Sequence, residues 1–214
     1  MRCFVLLLSL SSLQGYSQND GWDLEKNKDG VKVYTRIPAG EIYKEFRAVT
    51  TLESTLSSAI ALLGDMQAAP DWYAHVKQGK VLKKYNSLQS MVHIELDLPF
   101  PADDRDLVAL FDFTYDSETG IAKATVTGEP NFAPNLEKSI RIPRLNGFWE
   151  FIPIGDTQTE VHYQVFSDPG GNLPIWIFNS MIADDPFRSL RNMQSLVKLE
   201  KYQNATIDFI TERR

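Results

Sequence analysis

Two spacings of apolar residues divide the chain. From residue 31 to residue 167 the apolar positions mostly alternate with polar ones, whereas from Leu173 onward they recur every three or four residues. Alternation with a period of two predicts β-strands with one buried face, and a period near 3.6 predicts an amphipathic helix. The chain is therefore predicted to form a mostly antiparallel sheet followed by a long C-terminal helix.

The strands are predicted from alternating segments bounded by turn residues. Segment 31–37 (VKVYTRI) follows the turn signal Asp29-Gly30, and segment 42–52 (IYKEFRAVTTL) is its expected hairpin partner. Residues 22–26 are expected to form a short helical turn. Further strands are predicted at 79–85, 88–98, 105–116, 121–129, 139–153 and 159–167. Their close spacing favours an antiparallel meander over parallel units.

Three helices are predicted from spacing and capping signals. Thr50 and Glu53 have capping-box spacing, so the helix they begin is expected to run to Gly64. A second short helix is expected at 69–76, with Pro70 near its start. The C-terminal helix is expected from Leu173 to about Ile210, with Pro174 in its first turn. A break is expected at Pro186, where one of the two preceding aspartates would cap the restarted helix.

The apolar faces of the strands and of the last helix together predict an internal cavity. One helix cannot cover the concave side of so wide a sheet, so part of the enclosed volume should stay empty; the alternative is that these side chains only pack against that helix. The expected lining residues are Val92, Ile94, Leu96, Leu107, Ala109, Phe111, Phe113, Trp149, Phe151, Tyr163, Phe178, Met181, Ile182, Leu190 and Met193.

Charged residues stand at the start of strand 105–116. Arg105 and Asp106 could contact the headgroup of a ligand, or they could form a structural ion pair that anchors loop 99–104. That loop and residues 130–137 are rich in proline and lack alternation, so they are the expected mobile gate of the cavity.

The motifs of catalysis and cofactor binding are missing. The three histidines lack the spacing of metal ligands, and the sequence has no phosphate-binding loop, dinucleotide fingerprint or nucleophile elbow, so no metal or cofactor is expected. His93, Glu95 and Asp97 share one face of strand 88–98, which is expected to be solvated; an acid–base cluster is the alternative. The 22 basic and 28 acidic residues give a net charge of −6, which argues against a nucleic-acid partner.

The first residues, MRCFVLLLSLSSLQGYSQ, have the pattern of a secretory signal peptide. Arg2 precedes an apolar run, and Gly15 and Ser17 are small residues at the −3 and −1 positions of a cut before Gln18. Residues 1–17 are therefore expected to be removed, and 18–214 to form one domain in the periplasm or outside the cell. A buried N-terminal strand is the alternative.

Several motifs follow one another in a distinctive order. They are DGVKVYTR (29–36), PDWY (70–73), LPFPADDRDLV (98–108), NGFWEFIPI (146–154), TEVHYQVFSDPGG (159–171) and LPIWIFN (173–179). As an ordered set they resemble the START (StAR-related lipid-transfer) domain family, within the Bet v 1-like, or SRPBCC, helix-grip superfamily.

This resemblance implies an α+β helix-grip fold, in which a curved antiparallel sheet wraps around the C-terminal helix and encloses an apolar cavity. It implies that the chain binds or transfers a lipid or another hydrophobic small molecule without catalysis, with transient membrane contact. Several sterol-binding members carry a basic residue where this chain has Phe111. An enzyme of the polyketide cyclase or aromatic-substrate type is the alternative, and a groove for a protein segment is a third interpretation. The oligomeric state and the ligand stay open.

Overall fold

The computed structural model describes residues 21–210 of the chain, so the predicted signal peptide lies outside the described residues. The strands are Asp23–Lys28 (β1), Val31–Arg36 (β2), Glu45–Leu52 (β3), Val76–Lys84 (β4), Gln89–Leu96 (β5), Arg105–Tyr115 (β6), Ala122–Gly128 (β7), Ile140–Arg141 (β8), Arg144–Ile154 (β9) and Gln158–Asp168 (β10). The helices are Leu56–Gly64 (α1), Ala69–Trp72 (α2), Ile175–Met181 (α3), Asp184–Leu196 (α4) and Glu200–Gln203 (α5).

One curved, unclosed sheet contains all of these strands. Its order is β1-β2-β3-β10-β9-β7-β6-β5-β4, with antiparallel neighbours throughout, and the short β8 pairs in parallel with β6. Most neighbours in the sheet are also neighbours in sequence, as in a meander. The main exception is β3, which pairs with β10, the last strand in the sequence. Strand β10 shows why the alternation was informative, since Thr159, Val161, Tyr163 and Val165 are buried while the residues between them are not. The predicted α+β helix-grip fold is confirmed.

The first element of the described residues is a strand, so the helical turn predicted at residues 22–26 is wrong. Strand β1 pairs with β2 from Asp23 opposite Thr35 to Lys28 opposite Val31, with an irregularity between Leu24 and Lys26. The reversal between the two strands uses the left-handed backbone of Asp29 and Gly30, which have φ of 52° and 75°. Pairing with β2 outweighs the weak local preference of this polar segment.

Helix α1 begins later than the capping box predicted. Its N-cap is Thr55, whose hydroxyl accepts a hydrogen bond from the backbone N–H of Ser58 at 3.2 Å. Thr50 instead lies in β3 and donates to the carbonyl of Gly30 at 3.0 Å. The predicted end at Gly64 is correct, and α2 is shorter than the predicted 69–76.

The predicted C-terminal helix is three helices. The chain leaves helical hydrogen bonding after Ile182, and α4 restarts at Asp184 with Ala183 as its N-cap rather than an aspartate. Pro186 lies in the first turn of α4, where a missing N–H costs no hydrogen bond. The predicted break is therefore present, and it separates α3 from the helix that the sheet grips.

Helix α4 packs its apolar side chains against the concave side of the sheet at β2 and β3. Leu190, Met193 and Val197 are completely buried there. Among residues 21–210 there is no helix whose length and apolarity would let it cross a bilayer. One hydrophobic core includes buried residues of both α1 and α4, and a cavity lies at the end covered by α3.

Candidate functional site

An apolar cavity lies between the concave face of the sheet and α3. Its volume is about 140 Å³, and its wall is built from β3, β5, β6, β9 and β10 on one side and from α3 and the start of α4 on the other. Phe178, Met181 and Ile182 supply the helical side of this wall. Helix α3 thus covers the open end of the sheet, which explains why its sequence is so apolar.

The cavity narrows toward the interior of the molecule. A smaller space of about 20 Å³ shares Tyr73, Tyr163 and several aliphatic residues with the wider part, and it adds Trp72, Phe111 and Trp149. Because the two spaces share these walls, they lie side by side, and we describe them together as a hollow with a wide outer part and a narrow inner part. We call them the outer cavity and the inner cavity.

Aromatic rings surround the inner cavity. Tyr163 stacks on Trp149 with ring centroids 3.6 Å apart and meets the edge of Phe46 at 4.8 Å. Its hydroxyl forms a hydrogen bond with the hydroxyl of Tyr73, and burial raises the pKa of both phenols. Both hydroxyls therefore stay protonated and neutral through the physiological pH range.

His75 joins three segments at the edge of the outer cavity. Its left-handed backbone, with φ of 61°, directs the chain from α2 into β4. Its ring contacts the carbonyl of Asp97 through Nδ1 at 3.1 Å and the carboxylate of Asp185 through Nε2 at 3.3 Å. The contact with Asp185 is the main cause that raises the pKa of His75.

Side chains of α4 hold the turn that carries Tyr73 and His75. Ser189 accepts a hydrogen bond from the backbone N–H of Ala74 and donates one to the carbonyl of Asp185, at 3.0 Å and 2.7 Å. Asn192 donates to the carbonyl of Trp72 at 3.2 Å. Tyr73 and His75 therefore reach the cavity from a turn that is held by side chains of α4.

A model of the START domain matches residues 7–200, most of the chain. The chain belongs to the START-domain family. This match begins within the segment predicted to be a signal peptide.

Similar proteins support the assignment of the chain to this family. An uncharacterized protein of Pseudomonas aeruginosa is 31% identical over 195 residues, covering 91% of this chain and 96% of its own. The phosphatidylcholine transfer protein of Bos taurus is 25% identical over 164 residues, covering 74% of this chain and 75% of its own. The crystal structure of a StAR-related lipid transfer protein from Xanthomonas axonopodis has a TM-score of 0.78 at 29% identity, covering 84% of this chain and all of that one.

Many, but not all, of the residues predicted to line the cavity do line the outer or the inner cavity. Those around the outer cavity are Ile94, Leu96, Leu107, Tyr163, Phe178, Met181 and Ile182, and the inner cavity adds Phe111 and Trp149. Val92, Ala109, Phe151, Leu190 and Met193 do not line either space and belong to the solid core. For Leu190 and Met193 the difference follows from the break before α4, because α4 packs directly on β2 and β3.

Phe113 lies at the opposite end of β6, in a separate cleft. That cleft has a volume of about 370 Å³ and is bounded by α1, the β4–β5 hairpin and the C-terminal residues Ile207 and Phe209. The rings of Phe113 and Phe209 are 6.0 Å apart. Alternation placed Phe113 on the correct face of the strand but could not tell which of the two spaces this side chain would border.

Arg105 does not line the cavity. Its guanidinium donates to the carbonyls of Pro169 at 2.7 Å, Gly170 at 3.1 Å and Asp103 at 2.5 Å. These bonds tie the loop before β6 to the turn before α3, in which Gly170 and Gly171 have left-handed φ of 66° and 61°. Arg105 therefore holds the backbone around the cavity opening rather than facing the interior.

Asp106 and His93 meet on the outer face of the sheet. The Asp106 carboxylate accepts hydrogen bonds from His93 at 2.8 Å and from Arg141 at 2.8 Å. The prediction that His93 is exposed to solvent is wrong, since the exposed fraction of this residue is 4%. Arg141 also donates to the carbonyls of Pro130 and Ala133, so segment 130–137 covers this face. Neither this segment nor Asp106 lines the cavity.

Sequence reasoning missed several lining residues, above all Tyr73, His75 and Leu145. The motif PDWY contained the signal for Tyr73, since two large aromatics directly after a proline-started turn are unlike a solvent loop. Among residues 21–210, no group of three or more His, Cys, Asp and Glu side chains is arranged to hold a metal ion.

Proposed function

We propose that this START domain binds a lipid or a similar apolar molecule in its cavity and carries it without converting it chemically. The observation that supports this most directly is the hollow between the sheet and α3, whose wall is mainly aliphatic and aromatic. The bovine relative is a phosphatidylcholine transfer protein, and the Xanthomonas relative is a StAR-related lipid transfer protein. A carrier role in the same general class fits both the wall and these names.

Apolar contact alone is enough for useful affinity. Burying one methylene stabilises a complex by roughly 0.8 kcal/mol, so about twelve methylenes give roughly 10 kcal/mol before ordering costs. Micromolar affinity needs about 8 kcal/mol. A ligand with a medium-length hydrocarbon part can therefore bind even where most of the wall offers no polar partner.

Helix α3 is the element that must move to admit such a ligand. A hollow of about 140 Å³ holds roughly five waters, which is less room than a long-chain lipid occupies. Helix α3 has only seven residues, and its N-cap, Pro174, provides no side-chain hydrogen bond. Ile177 and Phe178 are its buried residues, so few contacts oppose its displacement.

Exposed apolar side chains near the opening suit transient contact with a membrane. The exposed fractions are 70% for Trp176 on α3 and 96% for Phe100 on the loop before β6. Leu98, on the same loop, and Phe178, on the same helix, both line the cavity. Trp176 and Phe100 therefore flank the path by which a ligand enters, and we propose that they enter the bilayer surface during exchange.

Export remains part of the proposal. Residues 1–17 have the three-part pattern of a signal peptide. Fractionation of the native host, followed by N-terminal sequencing of the protein, should recover a chain that begins at Gln18 outside the cytoplasm. A chain that retains Met1 or Arg2 in the cytoplasmic fraction would contradict export but not lipid binding.

The carrier function is tested by purifying the protein from its native host under non-denaturing conditions. Native mass spectrometry should show a complex whose extra mass, after extraction, is an intact lipid. Uptake of a fluorescent fatty acid by the emptied protein should saturate at one site. Failure to retain or take up any member of a broad lipid panel would contradict the proposal, and so would the release of a chemically converted molecule during incubation.

A further inference from the structure

Some of the aromatic residues that line the inner cavity carry hydrogen-bond donors. The hydroxyls of Tyr73 and Tyr163 bond to each other, and among residues 21–210 neither has another hydrogen-bond partner. One hydroxyl donates to the other, so the second phenol proton is left without an acceptor. Tyr163 is almost completely buried, and Tyr73 lines both parts of the hollow.

A second buried donor lies in the same place. The indole N–H of Trp72 is shielded from solvent and has no hydrogen-bond partner within the described part of the chain. Trp72 lines the inner cavity, and its ring stacks on that of Tyr73 with centroids 5.3 Å apart. Buried donors in proteins are usually satisfied, because leaving one without an acceptor is costly. Two such donors beside one hollow point to an acceptor that the occupant supplies.

The inner cavity is unsuited to a charged group. His75 and Asp185 are the residues with charge-bearing side chains among those that line the hollow, and they pair with each other at the outer cavity. The buried Arg105 donates to backbone carbonyls elsewhere. A phosphate in the inner cavity would lie without a counter-ion, which disfavours its burial.

The aromatic rings do not form an open cage for a quaternary ammonium group either. Such a cage needs free ring faces around a void. Here Trp149 stacks on Tyr163 and also meets Trp72 at a steep angle, with centroids 5.9 Å apart. The rings cover one another's faces, which leaves the hydroxyls and the indole N–H as the distinctive groups of the inner wall.

From this geometry we infer that the inner cavity recognises a neutral hydrogen-bond acceptor, the carbonyl oxygen of an ester or ketone, on a ligand whose remaining part is hydrocarbon. This inference rests on the proposed carrier function and narrows its ligand class. The phenol O–H and the indole N–H donate to the carbonyl, while the hydrocarbon part fills the outer cavity beneath α3. Lipids with a phosphate at the buried end are disfavoured.

The test compares three probes that share a twelve-carbon chain: dodecane, methyl dodecanoate and dodecylphosphocholine below its micelle concentration. Each competes with a fluorescent fatty acyl ester for the full-length protein. The matched variants are the double substitution Tyr73→Phe with Tyr163→Phe, which keeps both rings and removes both hydroxyls, and Tyr85→Phe, which removes an exposed phenol outside the cavity.

We expect the wild-type protein to prefer methyl dodecanoate over both other probes. The double variant should lose about fivefold to tenfold in affinity for the ester, the worth of one hydrogen bond, and less than twofold for dodecane. Tyr85→Phe should match the wild type. Thermal unfolding of each variant shows that it is folded.

Two results would overturn the inference while leaving the carrier function intact. One is tighter binding of dodecylphosphocholine than of the ester, and the other is an equal change for ester and dodecane in the double variant. Absence of binding by the fluorescent ester and by all three probes would instead overturn the carrier function, and this inference with it.

Discussion

The packing between the sheet and the C-terminal helices differs at its two ends, although the same sheet forms one wall of both. At one end α4 lies on the sheet and buries Leu190 and Met193 completely. At the other end α3 stands off the sheet, and its last residue Met181 and its C-cap Ile182 line a hollow. The interruption of helical structure between Ile182 and Asp184 separates these two arrangements. The interruption of the helix therefore separates the part of the apolar interior that α4 fills from the hollow in which we propose that the ligand binds.

The contrast also appears along one strand. Val161 and Val165 lie on the same face of β10, four residues apart. Val161 is completely buried in the solid core, whereas Val165 lines both the outer and the inner cavity. Equivalent residues in sequence thus have different neighbours, and substitutions at the two ends should have different consequences.

The largest expected difference concerns two methionines. Met193→Ala on α4 should lower the free energy of unfolding by about 3 kcal/mol, because it leaves a void in a packed core. Met181→Ala on α3 should lower it by about 1 kcal/mol or less, since this side chain is only half-buried beside an existing hollow. Urea unfolding of both variants measures the two costs. Equal costs would mean that α3 is packed as firmly as α4.

The two valines on β10 give the next comparison. Val165→Phe should fill the hollow, reduce lipid uptake at least tenfold and change the free energy of unfolding by less than about 1 kcal/mol. Val161→Phe should cost about 1–3 kcal/mol through overpacking and leave uptake by the folded protein unchanged. Titration with a fluorescent fatty acid and urea unfolding separate the two effects. Undiminished uptake by Val165→Phe would place the ligand elsewhere.

Period-two alternation was sufficient to predict most strands, because each has one face in the core. Strand β1 escaped prediction since its polar residues have no alternation of their own and are ordered by pairing with β2. Helix α1 begins after Thr55, whose hydroxyl caps the N–H of Ser58. Spacing alone favoured Thr50 instead, because Thr50 and Glu53 have the spacing of a capping box.

The cavity was predictable in kind but not in position. An excess of apolar side chains over what one helix can cover indicated a hollow, yet its location depends on where α4 restarts. Tyr73 could not be placed by periodicity, since it reaches the cavity from an irregular turn in which His75 has a left-handed backbone. Such turns are fixed by tertiary hydrogen bonds, here from Ser189 and Asn192 of α4.

We expect the end of the molecule that α3 covers to be the end that contacts membranes. Trp176→Ser removes an exposed aromatic from α3, so the rate of lipid transfer between neutral vesicles should fall severalfold while the free energy of unfolding changes by less than about 0.5 kcal/mol. Ile154→Ser, at an exposed strand end, is the matched control because Ile154 does not line the cavity. A transfer assay with fluorescent lipid compares them. Equal rates for the two variants would contradict a role for Trp176 in docking.

The smallest expected effect is a pH dependence at the boundary between the two ends. The contact with Asp185 raises the pKa of His75 above the ordinary 6.5, although nearby Arg188 opposes this shift. A raised folded-state pKa means that the protonated pair stabilises the protein fully below pH 6.5, and that this contribution is lost as the pH rises through the folded value. His75→Asn keeps a residue that tolerates left-handed backbone and removes the charge. Melting temperatures of both proteins should therefore differ more at pH 5.5 than at pH 8.5. A constant difference would show that the pair does not titrate with folding, and that the hydrogen bonds of Ser189 and Asn192 hold the turn at the cavity edge without it.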